Sequence, residues 1–407
     1  MTAPRLVQQI ARACAGAGGR AWAVGGSVRD GLLGREIKDW DLEVHGLEGD
    51  ALFEVLRPLG GTARVGKSFG VYKVRRAGLE VDVGLPRASA LGDTDPHLDL
   101  HEAMRRRDLT INAIALDPLT GELTDPFHGL DDLRAGLLRP VDARTFLEDP
   151  LRAMRVMQFA PRFQFAVTPE LEALCRAADL REIAPERVGM EMEKLLMKAA
   201  APGQGLALGW DWGLFEATLP ELLTEPRHAV IQAVDRAAAR REQAGPSPRP
   251  LALMVAALLH ALAPEHAERA MDRLMVHSRA GYPVRARALG AIARWPELVE
   301  AATDPQLRRL AETEEVSLVA ETALAVTGSP HAASARERAD LLGVAHTPLP
   351  PLLYGRDLLA LGVAAGPRMG QLLSQVREAQ IQGHVCSPDQ ATALVRALSE
   401  TPLPTEG

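Results

Sequence analysis

The feature that most limits the fold is a change of periodicity near residue 140. Residues 20–26 (RAWAVGG) form an apolar run closed by a glycine pair, and residues 38–45 (KDWDLEVH) and 79–85 (LEVDVGL) alternate strictly. Strict alternation is the pattern of a strand with one buried face. Ala77-Gly78, between GVYKVRR and LEVDVGL, predicts a hairpin turn. A helix is expected around 98–106, then a strand at INAIALD, then a loop holding Asp125-Pro126. An amphipathic helix is expected at the N-terminus, with Val7, Ile10, Ala11 and Cys14 on one side. From about residue 141 the strand signals stop, and Ala, Leu, Arg and Glu follow one another with apolar residues at helical spacing. The fold class is therefore α+β, a mixed head followed by a long all-helical part. At 407 residues the chain exceeds one core, and the Pro-rich stretches 242–250 and 344–351 are the preferred breaks within the helices.

Several function classes fall away. No run of about 18 apolar residues exists, so no membrane partner is expected, and the first residues lack the regions of a secretory signal. Cys14, Cys175 and Cys386 are too few and too scattered for a disulfide framework or a cysteine zinc site, which suits a reducing cytoplasm. The net charge of −7 argues against a nucleic-acid partner only for a uniform surface. Binding needs a local basic patch, and Arg105-Arg106-Arg107 with Arg152, Arg155 and Arg162 are candidates. Each cluster alone reads equally as a solvated basic face.

In a strand, alternate side chains face the same way, so Asp39, Asp41 and Glu43 share one face and Trp40, Leu42 and Val44 the other. Two such aspartates sit roughly 6.5–7 Å apart along the backbone and can converge on divalent ions. On the hairpin's second strand Asp82 lies opposite Leu79, Val81, Val83 and Leu85, where it can supply a third carboxylate. Oxygen ligands without Cys or His suggest Mg²⁺. Alone, an Asp-x-Asp is better read as a wet acidic strand face. The surroundings shift that balance. Gly25-Gly26-Ser27 precede a helix expected from about Val28, leaving backbone N–H groups for phosphate, with Arg29 beside them. No ATPase phosphate loop is present.

The motifs GGSVRD (25–30), DWD (39–41), RRRDLTINA (105–113), DPFHGLDDL (125–133), EDPLRAMR (148–155) and ERVGMEMEKLL (186–196) stand in an order that resembles the class II tRNA nucleotidyltransferases and the bacterial poly(A) polymerases. The resemblance is strong over roughly 20–200 and continues weakly at GRDLLALG and AGPRMGQLL. It implies a polymerase-beta-like head with a mixed sheet (1–140), then an all-helical neck (141–200), a body with a degenerate His-Asp region (201–343) and a tail (344–407). It further implies that Asp39 and Asp41 bind catalytic metals, with Asp82 beside them. Gly25, Gly26, Ser27 and Arg29 would hold the triphosphate. Arg107, Asp108 and Asn112 would contact the nucleotide, Asp108 near its ribose. Asp149 and Arg152 would read the base, and Arg155 would help with phosphates. CTP, with ATP as a second candidate, and the acceptor stem and T-arm of tRNA are the implied partners.

Base reading has a physical rationale. A carboxylate accepts from the exocyclic amine of cytosine or adenine, and a guanidinium donates to the adjacent ring nitrogen, whereas guanine and uracil present carbonyls there. The plainer alternative is that Asp149, ahead of Pro150, simply caps a helix. Glu186, Arg187 and Glu191 read as ordinary helix-surface charges, and Arg105, Arg106 and Arg107 by themselves as decoration of a helix end, with Arg106 and Arg107 matching the family's motif more clearly than Arg105.

Two departures from the family pattern matter. Only 17 residues (ASALGDTDPHLDLHEAM) separate Arg87 from Arg105. Members that add CCA, or the terminal A alone, are longer here, so the resemblance favours a CC-adding member. The full CCA-adding, A-adding and poly(A) polymerase readings stand behind it, and an inactive RNA-binding relative last. Second, relatives with a phosphohydrolase domain carry an adjacent His-Asp pair, whereas Ala261 follows His260 here, so no second metal site is expected.

Overall fold

In a computed structural model, the described residues are 1–37, 39–65, 71–89, 93–241 and 248–400. The expected break at 242–250 and the sequence end after Glu400 therefore fall largely outside them. The chain forms two compact units, Met1–Pro220 and Glu221–Gly407.

The first unit is built on a seven-stranded sheet of β1 (Arg20–Val24), β2 (Trp40–His45), β3 (Gly61–Val65), β4 (Val71–Arg76), β5 (Leu79–Gly84), β6 (Ala115–Leu116) and β7 (Leu123–Thr124). Their order is β3-β4-β5-β2-β1-β6-β7. Only β2 and β5 pair in parallel; the other neighbours are antiparallel, so the sheet is mixed. The turn between β4 and β5 is the expected Ala77-Gly78, both with positive φ (51° and 81°), the geometry of a tight right-twisting hairpin. Trp40, Leu42, Val44, Val81 and Val83 point to one face and are buried there with Leu6, Val7, Ile10 and Cys14 of the helix Arg5–Gly16 and Leu52 and Leu56 of the helix Gly49–Leu56. Burying such side chains contributes about 1.5–3 kcal/mol each, which fixes strand register and turns the acidic residues to the other face.

Two expectations need correction. INAIALD is strand only at Ala115–Leu116; Thr110–Asn112 form a 3₁₀ turn instead. The strand signal does not quite end at 141, because Ala166–Val167 pairs in parallel with Leu137–Leu138. The same unit continues into the helices Leu151–Phe163, Pro169–Ala177, Pro185–Lys198 and Pro202–Asp211.

The second unit is helical among the described residues. Its helix Arg249–Leu259 is buried along its whole length. At its start, Arg249 is buried against Glu315, Glu321 (3.0 Å) and the Ser317 hydroxyl (2.8 Å). His260 is a buried histidine whose Nδ1 lies 2.9 Å from the Ala257 carbonyl. Leu358, Leu372, Val376 and Val395 form a small separate core near the C-terminal end. No helix among the described residues is long and apolar enough to cross a membrane. All three cysteines are free, and burial pushes the Cys14 thiol up to about 12.

Candidate active site

The parallel pairing sets Asp41 directly beside Asp82, and the antiparallel pairing of β4 and β5 sets Lys73 beside Asp82. The three side chains thus cross adjacent strands on the face opposite the core. Lys73 donates to Asp82 Oδ1 (2.9 Å) and also reaches Glu80. Asp39 sits in the bend just before β2, outside the strand, and is exposed. Asp41 is open to solvent but surrounded by protein mass. That desolvation, offset in part by Arg107 and reinforced by Asp82 and Asp39, pushes its carboxyl up to about 6.

Among the described residues no three His, Cys, Asp or Glu side chains stand close enough to hold a metal ion as they are. The reason at Asp82 is visible, since its carboxylate is taken by Lys73. Asp39 and Asp41 nonetheless fit a hard divalent cation. They offer carboxylate oxygens one residue apart, and Asp41 carries negative charge that its surroundings leave under-compensated.

This gives a first prediction. A carboxyl raised from 3.8 to about 6 adds stability below pH 3.8 that is lost as pH rises through 6. In metal-free protein at pH 7.5, Asp41→Asn is expected to raise Tm by roughly 2–4 °C, about 1 kcal/mol after solvent screening. At pH 4 the gain vanishes. A thermal scan at both pH values checks it.

Next to this strand lies the turn at Gly25, whose φ of +67° suits glycine. A Cβ there would come within 3.1 Å of Arg107 Nη1, so Arg107 lies over the turn. Arg107 donates to Glu43 (2.9 Å), and Glu43 faces His45 Nε2 (3.3 Å), whose Nδ1 lies 2.7 Å from the Leu98 carbonyl. Burial opposes the charge on Glu43, but Arg107 and His45 overcome it and hold its carboxyl low. The helix after the turn begins at Gly26, earlier than expected. Ser27 is buried and donates to the Val24 carbonyl (2.9 Å). Arg29 is buried too, not beside open backbone as its place in the sequence suggested. It donates to Asn112 Oδ1 (2.6 Å) and Asp30 (2.8 Å).

Arg29 opens a chain that ties the head to the helix Leu151–Phe163. Asn112 donates to Asp108 Oδ1 (2.8 Å), and Arg155 donates to Asp108 Oδ2 (2.7 Å). Burial disfavours the Asp108 carboxylate, yet Arg155, Asn112 and Arg152 hold its pKa well below the usual range. Arg155 also lies 3.9 Å from Glu191. The reading of Glu191 as a surface charge is overturned, because it is 3% exposed on the inner stripe of the helix Pro185–Lys198. Arg187 is likewise engaged, donating to Asp149 Oδ2 (2.7 Å).

Asp149 and Arg152 do not both lie on a helix; the helix begins at Leu151, and the Arg152 N–H closes a turn on the Asp149 carbonyl (3.0 Å). The Asp149 side chain also accepts from Leu151 N–H at 3.3 Å, a weak version of the capping alternative. Arg152 is held by the carbonyls of Thr145 (2.6 Å) and Arg106 (2.5 Å). Lys73, Arg187 and Glu191 had no role in the sequence reading. The alternation of GVYKVRR marks Lys73 as outward, and the 3-4 spacing of Val188, Glu191, Met192 and Leu195 marks Glu191 as inward.

Residues 21–139 match the model described as the poly A polymerase head domain, and residues 164–225 match one described as a probable RNA and SrmB-binding site of polymerase A. The Multifunctional CCA protein of Chromobacterium violaceum is 38% identical over 259 residues, 59% of this chain and 62% of that protein. The chain spans about half the length of other curated relatives it matches. The Bacillus stearothermophilus CCA-adding enzyme in complex with CTP is similar over 98% of both chains, with a TM-score of 0.75 and 26% identity. The Thermotoga maritima CCA-adding enzyme complexed with tRNA covers 97% of this chain and 95% of its own, with a TM-score of 0.70 and 21% identity, which supports the fold alone. These likenesses agree with a polymerase-beta-like head followed by helices.

Proposed function

We propose that this chain transfers cytidylates from CTP to the 3′ end of tRNA without a nucleic-acid template. The observation that carries the reading is the pair Asp39, just before β2, and Asp41, on its outward face, flanked by the Gly25 turn and Arg107. It lies in a chain similar along nearly its whole length to a CCA-adding enzyme in complex with CTP. The RNA 3′ hydroxyl attacks the α-phosphorus, the bond to the bridging oxygen breaks, and pyrophosphate leaves. Asp39 and Asp41 would hold Mg²⁺, which when bound supplies activation of the hydroxyl and neutralisation of phosphate charge. Asp82, tied to Lys73, would set the charge beside them. The Gly25-Gly26-Ser27 turn, with Arg29 and Arg107, would receive the triphosphate, and Asn112 and Asp108 the sugar. Arg155 would act largely through Asp108, to which its guanidinium is bonded. Catalysis would be mostly positioning.

In this reading 1–140 is the catalytic head and 141–200 the base-recognising neck. The body 201–343 and tail 344–407 would grip the acceptor stem and T-arm by shape and phosphates, in the cytoplasm.

For base choice, Asp149 braced by Arg187 and Arg152 braced by two carbonyls present an acceptor and a donor with little freedom left to lose. Asp149→Ala is expected to lower kcat/KM for CTP by roughly 10- to 100-fold, the scale of a charged hydrogen bond, and to narrow the preference over UTP and GTP. Steady-state kinetics with the four nucleotides reads this.

Addition of CC only is supported by the segment after β5. Ala88 N–H bonds the Asp93 carbonyl (2.7 Å), Asp95 N–H the Pro86 carbonyl (3.0 Å), and Gly46 N–H the Pro96 carbonyl (2.6 Å). Apart from residues 90–92, which are not described, this short segment closes on itself through two of these bonds and meets the end of β2 through the third, which leaves little of a lever for reshaping the pocket from C to A. Complete CCA addition and A addition remain the readings to exclude, and poly(A) synthesis is separated by supplying ATP alone with a generic RNA. No tail is expected there, and CTP should extend a tRNA transcript that lacks CCA. Long adenylate tails would favour the polymerase instead.

A further inference from the structure

The first unit carries cations that the roles above do not absorb. Three guanidiniums surround the ring of Phe163, with Arg29 at 4.6 Å, Arg35 at 4.7 Å and Arg162 at 5.0 Å from its centroid. Arg35 also donates to the Arg162 carbonyl (3.4 Å). Asp30 accepts from Arg29 through Oδ1, while its Oδ2 lies 3.7 Å from Arg162. Arg29 is buried and committed to Asp30 and Asn112, so the charge open to solvent is mainly that of Arg35, with Arg162 17% exposed beside Asp30.

The helix Pro185–Lys198 adds two ammonium groups. Lys194 reaches Glu191 (2.7 Å), whereas Lys198, exposed at the helix end, forms no ion pair with a described residue. Partial desolvation, then the charges of Arg162 and Lys194, lower the pKa of Lys198, while Asp30 and Asp39 act the other way. The ion pairs Asp149–Arg187 and Arg155–Glu191 set this helix alongside the helix Leu151–Phe163 in the same direction, and Arg162 and Lys198 stand at corresponding places further along the two, while Arg35 lies in the segment that leads into Asp39. Like charges gathered from three separate elements repel one another, and an anion settling among them relieves that repulsion.

We propose that Arg35, Arg162 and Lys198 bind phosphodiester groups of the RNA strand whose 3′ hydroxyl is brought to Asp39 and Asp41. The inference rests on the transferase reading above. The triphosphate is assigned to the Gly25 turn with Arg107 and the base to Asp149 and Arg152, which leaves this cluster for the other anion that must come close to Asp39. A strand delivering its terminal hydroxyl there carries phosphates within a nucleotide's length of it.

The test is equilibrium binding of the full chain to a tRNA transcript lacking CCA, by fluorescence anisotropy across a salt series without nucleotide, beside separate titrations with CTP. Lys198→Ala and Arg35→Ala are each expected to weaken RNA binding roughly three- to tenfold. The slope of log affinity against log salt should fall by about 0.7 per lost contact to a single strand. CTP affinity stays unchanged and Lys198→Arg restores RNA binding. Unchanged RNA affinity and slope would overturn the proposal, as would lost CTP affinity with intact RNA binding, since that assigns the cluster to the triphosphate. The readout needs no turnover, so its failure leaves the transferase reading standing. A wild-type protein that binds RNA with the expected slope and transfers nothing would defeat that reading alone.

Discussion

Replacing Asp39 or Asp41 with alanine is expected to abolish nucleotide incorporation, by roughly 10³-fold or more, while RNA binding at low salt survives. A divalent ion that polarises phosphoryl oxygens contributes several kcal/mol to the transition state, and each 1.36 kcal/mol is tenfold in rate. Asp41 adds a structural reason. It is the aspartate beside Asp82 in register, and Asp82 is occupied by Lys73, so Asp82 is not free to take its place. Because both aspartates lie off the buried face, neither change removes apolar packing. The mutant proteins should therefore unfold no more readily than wild type, and single-turnover incorporation would separate lost chemistry from lost fold. Full activity in either variant would remove the metal-site assignment.

The second large effect is at Arg155. Its loss strands Asp108, which is 7% exposed and holds its charge against burial through Arg155, Asn112 and Arg152. Removing one partner of a buried pair typically costs about 3–5 kcal/mol. The Arg155 side chain is 33% exposed, which puts Arg155→Ala at the lower end, about 3 kcal/mol. Urea denaturation at pH 7 reads the loss. Asp108 has a lowered pKa, so its contribution is present above the ordinary aspartate range and declines only as pH falls below it. The deficit of the mutant should accordingly stay constant from pH 5 to 8. The double change Arg155→Ala with Asp108→Asn should recover part of the stability, because no unpaired charge is then buried. A deficit the double variant leaves untouched would mean that the loss comes from packing on Phe159, 5.2 Å from the Arg155 guanidinium.

Much of this was legible in the sequence. Alternation located β2, β5 and the hairpin, because one face of each strand is buried and a shift of one residue would reverse every side chain, while β1, buried on both faces, showed as an apolar run. It also put Asp41, Glu43 and Asp82 on the outward face, where they stand. Alternation failed at INAIALD, where the apolar residues are buried on both sides and the backbone turns at Thr110–Asn112 to bring Asn112 between Arg29 and Asp108. Burial of Arg29 was not readable, since it depends on Asp30, Asn112 and Phe163, the last two far away in the chain. The spacing of Glu191 with Val188 and Leu195 did place it on the inner stripe, but a charged residue is normally read as exposed. Only Arg155 and Lys194 explain its position.

Template-independent transfer of nucleotides to the tRNA 3′ end is read out by a single product analysis. Purified protein with Mg²⁺ is offered tRNA transcripts ending at the discriminator base, after one C, and after CC, each with CTP, ATP or both, and the products are resolved to single nucleotides. Two additions from CTP are expected on the first transcript, one on the second, and no adenylate on the third. ATP use confined to the third would identify A addition and overturn the inference from the short segment after β5. No incorporation on any transcript, with Mg²⁺ or Mn²⁺, would contradict the transferase reading itself.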